Sequence, residues 1–117
     1  IGALNAPEDQ TKAVAEIHRV LKNGGGFLFA ENAIASRLHR YMRKKFVNWK
    51  DAWRYVSDAE FESWKTSFSK TNSKKLGLVA LFGRSEKQRK FLGTLDSVFT
   101  PISPKAWRYI YLGVFIK

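Results

Sequence analysis

The sequence predicts an α/β domain in which helices cover a parallel sheet. An amphipathic helix, a glycine-rich turn and an apolar strand follow one another between Pro7 and Glu31, as in the second half of a βαβ unit. Two later segments, beginning at Ser57 and Ser85, carry the Ser-x-x-Glu/Gln pattern of a helix capping box. The chain then ends in β-branched and aromatic residues, which favour a strand. We therefore expect four helices and three strands.

The first helix and strand have clear boundary signals. Pro7 suits the first helical turn, and Glu8 and Asp9 place negative charge at the positive end of the helix dipole. Asn23-Gly24 tolerates positive φ and predicts the end of the helix. The strand, Phe27–Ala30, is a continuous apolar run, which indicates burial on both faces. Apolar residues recur at helical spacing before it: Ala13, Val14, Ile17, Val20 and Leu21.

A second helix is predicted over Ala33–Phe46, with an apolar face and a cationic face. We expect the apolar face to be buried and the cationic face to be exposed. The apolar face has Ile34, Leu38, Tyr41, Met42 and Phe46, and the cationic face has Arg37, Arg40, Arg43 and Lys44.

The rest of the chain is predicted to contain two helices and two strands. The helix that begins at Ser57 would bury Phe61, Trp64 and Phe68. A strand over Leu76–Phe82 and a final strand over Trp107–Ile116 flank the helix that begins at Ser85. That helix would direct Phe91, Leu92, Leu95, Val98 and Phe99 inward and end before Pro101 and Pro104.

Composition limits the function classes. The chain has 117 residues and no cysteine, which excludes disulfides and thiolate metal sites, and His18 and His39 have no partner at a metal-ligand spacing. No apolar run reaches the length of a membrane span and no signal pattern opens the chain, so we expect a cytoplasmic protein. Charge is uneven: residues 1–35 carry 3 Lys/Arg against 4 Asp/Glu, and residues 36–117 carry 18 against 6. The basic, aromatic-rich part is expected to be the specialised one.

The segment EIHRVLKNGGGFLFAE, Glu16–Glu31, resembles part of the class I S-adenosylmethionine-dependent methyltransferases. There, a helix ending E-x-x-R-V-L-K-P-G-G leads into strand five; Asn23 stands where the family usually has Pro. The resemblance implies the C-terminal portion of a Rossmann-like sheet, with strand seven antiparallel between strands five and six. Phe27–Glu31 looks like strand five, Leu76–Phe82 like strand six and Trp107–Ile116 like strand seven. The resemblance is close over residues 7–31, and after residue 31 it rests on the order of helices and strands.

This resemblance divides the chain into three parts. Residues 1–32 would form the core helix and strand five, residues 33–70 a basic helical insertion on the substrate side, and residues 71–117 the last two strands and their helix. The family's G-x-G-x-G turn does not occur in the sequence, since Gly24-Gly25-Gly26 follows a helix instead of a strand. We therefore expect a fragment whose main cofactor-binding half lies upstream, with one edge of strand five unpaired and marginal stability in isolation.

The resemblance also implies site residues, although no catalytic residue is assigned. Leu4 and Asn5 look like part of the loop after strand four and would contact S-adenosylmethionine. Glu31 and Asn32, at the exit of strand five, would face the substrate. Two alternatives stay open: Glu31 orients substrate or acts as a base, or else it caps the next helix or pairs with an arginine. Asn5 contacts the reacting group or caps the first helix.

The cationic face of the second helix supplies the other substrate-side candidates. Arg37, Arg40, Arg43 and Lys44 could bind an anionic substrate, rest on anionic lipid, grip nucleic acid or be a solvated face. Trp49, Trp53 and Tyr55 could stack on a base, sit at a lipid interface or pack the insertion onto the sheet. The function expected is methyl transfer to a small-molecule or lipid-linked, anionic acceptor. The alternative is a non-catalytic basic module that binds nucleic acid or an anionic membrane surface.

Overall fold

The chain folds into a small α/β domain with a three-stranded sheet. The computed structural model describes residues 1–46 and 53–117; the side chain of Phe46 and residues 47–52, with Trp49, lie outside the described part. The helices are α1 (Pro7–Val20), α2 (Arg37–Phe46), α3 (Asp58–Lys65) and α4 (Glu86–Phe99). The strands are β1 (Gly26–Asn32), β2 (Lys70–Leu76) and β3 (Ile110–Ile116). Single turns of 3-10 helix span Ala80–Phe82, Thr100–Ile102 and Lys105–Trp107.

The strand order in the sheet is β1-β3-β2, and β3 runs antiparallel to both neighbours. β1 and β2 are therefore parallel to each other but are separated by β3. The expectation of a hydrogen-bonded parallel sheet is wrong for the described strands, because the last strand lies between the first two. β3 lies close to β2 at Gly113, since a Cβ there would lie 2.5 Å from the Asn72 carbonyl oxygen.

Three of the predicted helices are confirmed with their boundary signals. α1 begins at Pro7 and is followed by Gly24 at φ 77°. The capping boxes of α3 and α4 both form, because the Ser57 and Ser85 hydroxyls each accept the backbone N–H three residues on. α2 begins at Arg37 instead of Ala33, since the Ala33 and Ile34 N–H groups donate to carbonyls of other segments in extended backbone.

The strand predicted over Leu76–Phe82 is wrong. β2 lies earlier, at Lys70–Leu76, and the apolar residues after it form a turn and a 3-10 helix. Two features prevent an extended strand there: Gly77 has φ 78°, and the Asp96 carboxylate accepts the backbone N–H groups of residues 78–80. The last strand also begins at Ile110 instead of Trp107, which lies in a 3-10 turn.

One face of the sheet carries the hydrophobic core. Phe29 of β1 and Phe115 of β3 pack against Phe61 of α3, with ring centroids 4.7 to 5.7 Å apart. α1 closes the same face through buried Val14 and a hydrogen bond from the Trp64 indole to Thr11. The predicted burial of Phe61, Trp64 and Phe68 is confirmed.

The residues that the structure describes leave the other face of the sheet largely uncovered. Leu28 of β1 is 77% exposed, so the expected burial of this strand on both faces is wrong. β1 is also an edge strand in the described sheet. At the carboxyl end of β1, the Asn32 carbonyl accepts the Val56 N–H. Along Phe27–Ala30, no described strand lies at this edge.

α2 and α4 are rotated relative to the prediction. In α2, Leu38 and Tyr41 are exposed, whereas His39 and Arg43 are buried. In α4, the buried residue is Asp96, because its carboxylate must face the turn whose N–H groups it accepts. As a consequence Phe91, Val98 and Phe99, expected inside, are exposed.

Candidate functional site

The carboxyl end of β1 holds the first residues of the chain over the sheet. The buried Glu31 carboxylate accepts a hydrogen bond from the backbone N–H of Gly2 at 3.0 Å. A Cβ at Gly2 would lie 3.1 Å from Trp53 and 3.2 Å from the same carboxylate. Glu31 therefore fixes the loop before α1, in place of the helix cap or arginine pair considered from sequence. A role toward substrate remains a prediction.

The two residues expected to contact a cofactor lie in this loop. Leu4 and Asn5 are both exposed, and the Leu4 carbonyl accepts a hydrogen bond from the Gln10 side chain at 2.9 Å. Asn5 does not cap α1, because the N-cap residue is Ala6 and makes no side-chain cap. The loop thus presents Leu4 and Asn5 on an ordered, open surface beside the β1 exit, and cofactor contact stays a prediction.

An arginine that the sequence did not single out connects the loop to two helices. The Arg54 guanidinium donates to Gln10 of α1 and to Glu60 of α3, and its backbone N–H donates to the Gly2 carbonyl at 2.9 Å. Burial raises the pKa of Glu60, but hydrogen bonds from Ser57 and Arg54 outweigh it and hold the pKa below the ordinary value. The sequence signal concerns Gln10 alone, which stands four residues before Val14 on the buried stripe of α1.

Two predicted substrate-side residues, Asn32 and Arg43, come together at the exit of β1. The Arg43 guanidinium donates to the Asn32 side-chain oxygen at 3.3 Å and lies 4.2 Å from the centre of the Tyr55 ring. Burial lowers the pKa of Arg43, although the nearby Tyr55 and Tyr109 act in the opposite direction. Arg43 thus packs the insertion onto the strand exit, and its Nε is buried with no hydrogen-bond partner in the described part of the chain.

The remaining cationic candidates form a separate exposed stripe. Arg37, Arg40 and Lys44 recur at helical spacing on the solvent side of α2. Trp53, half-exposed beside Gly2, and Tyr55, half-buried under Arg43, join the insertion to the sheet. Only Arg43 of the four candidates therefore lies at the strand exit.

Behind α2 lies an apolar groove that the sequence did not predict. Its volume is about 1030 Å³, and α2, the turn after β2 and the chain after α4 form its walls. His39 lines it; the imidazole stacks on Tyr109 at 5.0 Å and contacts Phe82 at 5.2 Å. Burial, with the nearby Arg43 charge, lowers the pKa of His39 to about 4, so the imidazole is neutral at pH 7.

A second cleft of about 760 Å³ lies between α3, β2 and α4. At its wall the Asp58 carboxylate accepts from the Lys75 ammonium at 2.6 Å and the Tyr111 hydroxyl at 2.5 Å. Burial opposes ionisation of Asp58, but these two hydrogen bonds hold its pKa below the ordinary value. Burial and the Asp58 contact raise the pKa of Tyr111. These three groups satisfy one another and are structural.

Within the described ranges, no group of three or more His, Cys, Asp or Glu side chains could hold a metal ion, and no helix is long and apolar enough to cross a membrane. Comparisons with protein-family models, characterised proteins and solved structures find no match for this chain. The geometry and the sequence pattern are therefore the basis for a functional proposal.

Proposed function

We propose that the chain is the strand-five-to-seven part of a class I S-adenosylmethionine-dependent methyltransferase. The acceptor is a small-molecule or lipid-linked compound with an anionic group. The main cofactor site, including the G-x-G-x-G turn that the 117 residues lack, is contributed by preceding sequence. A cytoplasmic location belongs to the same proposal.

The strand order carries this proposal. The family places its last strand antiparallel between strands five and six, and β3 lies antiparallel between β1 and β2. β1 follows the helix and glycine turn that resemble the family, and among the described residues no strand lies at its other edge along Phe27–Ala30, where strand four would pair. The resemblance rests on the sequence of Glu16–Glu31 and, after it, on the order of elements along the chain, whereas the strand order is a feature of the folded sheet.

The residues at the β1 exit fit a positioning role. S-adenosylmethionine supplies an electrophilic methyl group, and transfer by in-line displacement depends mainly on orientation and exclusion of water. Glu31 holds the loop that presents Leu4 and Asn5, while Arg43 holds Asn32 and the insertion over the same exit. The exposed Arg37 and Arg40 supply positive charge for an anionic acceptor.

Binding of labelled S-adenosylmethionine tests the proposal. Equilibrium dialysis compares the 117-residue chain with the complete polypeptide in which these residues occur. We expect a micromolar site in the complete polypeptide and none in the 117 residues. In the complete polypeptide, Glu31→Ala should weaken binding by releasing the loop, whereas Arg40→Gln, a change of an exposed residue on α2, should not. No binding by the complete polypeptide would exclude the enzyme.

A second candidate function is a non-catalytic basic module. The observation that favours it is the exposed stripe of Arg37, Arg40 and Lys44 in a chain of net charge +11. Such a module would bind RNA or DNA with an affinity that falls steeply with salt. A gel shift at two salt concentrations with wild type and Arg40→Gln distinguishes it, because a methyltransferase with a small acceptor predicts no salt-sensitive complex.

A further inference from the structure

The groove behind α2 exposes apolar side chains from three separate segments. Leu38 of α2 is 70% exposed, Ile102 is 79% exposed and Trp107 is 56% exposed. All three line the same groove, together with Val79 and Phe99. Scattered exposed apolar residues are ordinary, but a concave cluster of this size is characteristic of a binding site.

A buried polar atom lies among these apolar walls. His39 is only 7% exposed, and its Nε2 atom is buried with no hydrogen-bond partner among the described residues. Most buried polar atoms in proteins are paired, because an unpaired one loses its hydrogen bonds to water without compensation. A ligand in the groove that offers a hydrogen-bonding group would pair it.

The charge at the groove entrance specifies the other end of such a ligand. Arg37 is exposed and lines the groove, and it directly precedes Leu38 and His39 in α2. Asp96, the acidic residue in the wall, is committed to three backbone N–H groups of residues 78–80. Arg37 supplies the positive charge at the opening, and this charge complements an anionic head group.

We propose that this groove binds a single amphipathic molecule, with its long apolar chain among Leu38, Ile102 and Trp107 and its anionic head at Arg37 and His39. This molecule is the methyl acceptor, and that part of the inference rests on the proposed function. Binding to the groove does not rest on it, because the groove is formed by the described residues alone. α2 connects the two sites, since Arg43 bonds Asn32 at the β1 exit and His39 lines the groove.

Quenching of tryptophan fluorescence by dibromostearate, below its micellar concentration, measures this binding. Trp107 lines the groove, whereas Trp64 lies in the core on the other side. We expect saturable quenching by the brominated chain that Trp107→Phe abolishes. Equal quenching in wild type and Trp107→Phe would overturn the assignment of the chain to this groove.

A matched pair of substitutions tests the location. Ile102→Asp places a charge in the groove and should weaken binding about ten-fold or more. Val98→Asp, at an aliphatic residue that is 61% exposed on α4 and does not line the groove, should leave affinity unchanged. Circular dichroism establishes that both variants fold. Equal affinities of the two variants would contradict the proposal.

The head group and the source of the ligand are tested separately. Arg37→Gln should weaken stearate about three-fold and leave stearyl alcohol unaffected, as expected for an exposed ion pair. Binding to anionic phosphatidylglycerol vesicles without binding to monomeric stearate would overturn the single-molecule proposal. Failure of S-adenosylmethionine to bind, with stearate still bound, would remove the acceptor role but not the lipid site.

Discussion

The two sides of this small domain differ in what they bury. On the face of the sheet covered by α1 and α3, Phe29, Phe61 and Phe115 form the centre of an apolar core, although Gln10, Glu31 and Lys75 are also buried on this side. Around the groove, His39 and Asp96 are buried, while the large apolar residues Leu38, Phe99, Ile102 and Trp107 are exposed.

This difference separates stability from recognition. The aromatic core removes apolar area from water, which is the main favourable term in folding. The groove side holds its backbone through polar contacts, such as Asp96 with the turn after β2, and leaves its apolar residues free to contact something else. Three pairs of substitutions and one pH series measure how far this separation extends.

Removing a core ring should have the largest effect. Phe61 is fully buried and stacks on Tyr111 at 3.7 Å, so Phe61→Ala should reduce the free energy of unfolding by about 3 to 5 kcal/mol. Phe99→Ala, the same change on the groove side at a half-exposed residue, should cost less than about 1 kcal/mol. Urea denaturation followed by circular dichroism measures both. Equal losses would remove the distinction between the two sides.

Acid should weaken the groove side before it weakens the rest. Folding lowers the pKa of His39 from 6.5 to about 4 through burial and the Arg43 charge, while Asp96 acts in the opposite direction. The unfolded chain therefore binds a proton first, and stability is lost as pH falls from 6.5 towards 4, by up to about 3 kcal/mol.

The variant His39→Phe should lack this dependence on pH between 6.5 and 4. Asp58 and Glu60 have lowered pKa values, so their contribution is present at neutral pH and is lost as the pH falls below about 4.5. Unfolding free energies at pH 7, 5.5 and 4.5 distinguish the two windows. A slope that is unchanged in His39→Phe would show that another group is responsible.

Asp96 should be the main polar support of the groove side. Its carboxylate accepts three backbone N–H groups, so Asp96→Ala should cost about 2 kcal/mol or more and loosen the turn at residues 78–80. Thr94→Ala, at an exposed residue of the same helix, should have little effect. Amide hydrogen exchange at residues 78–80 reports the turn directly, and retained protection in Asp96→Ala would contradict this assignment.

The two capping boxes allow the smallest and most direct comparison. Ser57→Ala and Ser85→Ala each remove the same kind of cap, one on the core side and one on the groove side, and each should cost about 1 kcal/mol. If α4 opens independently, Ser85→Ala will speed exchange in α4 without changing exchange in α3. Identical exchange changes in both helices would mean that the domain opens as one unit.

Sequence predicted the parts of the fold that carry local signals. α1 and β1 have a proline at the start, Asn23-Gly24 at the turn and an apolar run, and all three agree with the structure. β2 has none of these, because its residues from Lys70 to Lys75 are polar and become a strand only by pairing with β3. The apolar stretch that follows was a better strand by composition, but Gly77 and Asp96 hold it in a turn.

The candidate site was predictable only in pieces. Asn32 and Arg43 were both identified from sequence, and the structure brings them into contact. The link from Arg54 to Gln10 joins residues 44 positions apart, and no local pattern encodes such a contact. The groove was missed for a similar reason, since helical periodicity indicates that α2 has two faces but does not decide which of them the rest of the chain covers.

The central claim is that β1 is an interior strand of a longer sheet whose other half binds S-adenosylmethionine. Nuclear Overhauser contacts across the open edge of Phe27–Ala30, in the complete polypeptide, test it most directly. The account predicts a neighbouring strand parallel to β1 on that edge, and protection of its amides from exchange. An edge that stays open to solvent in the complete polypeptide would contradict it.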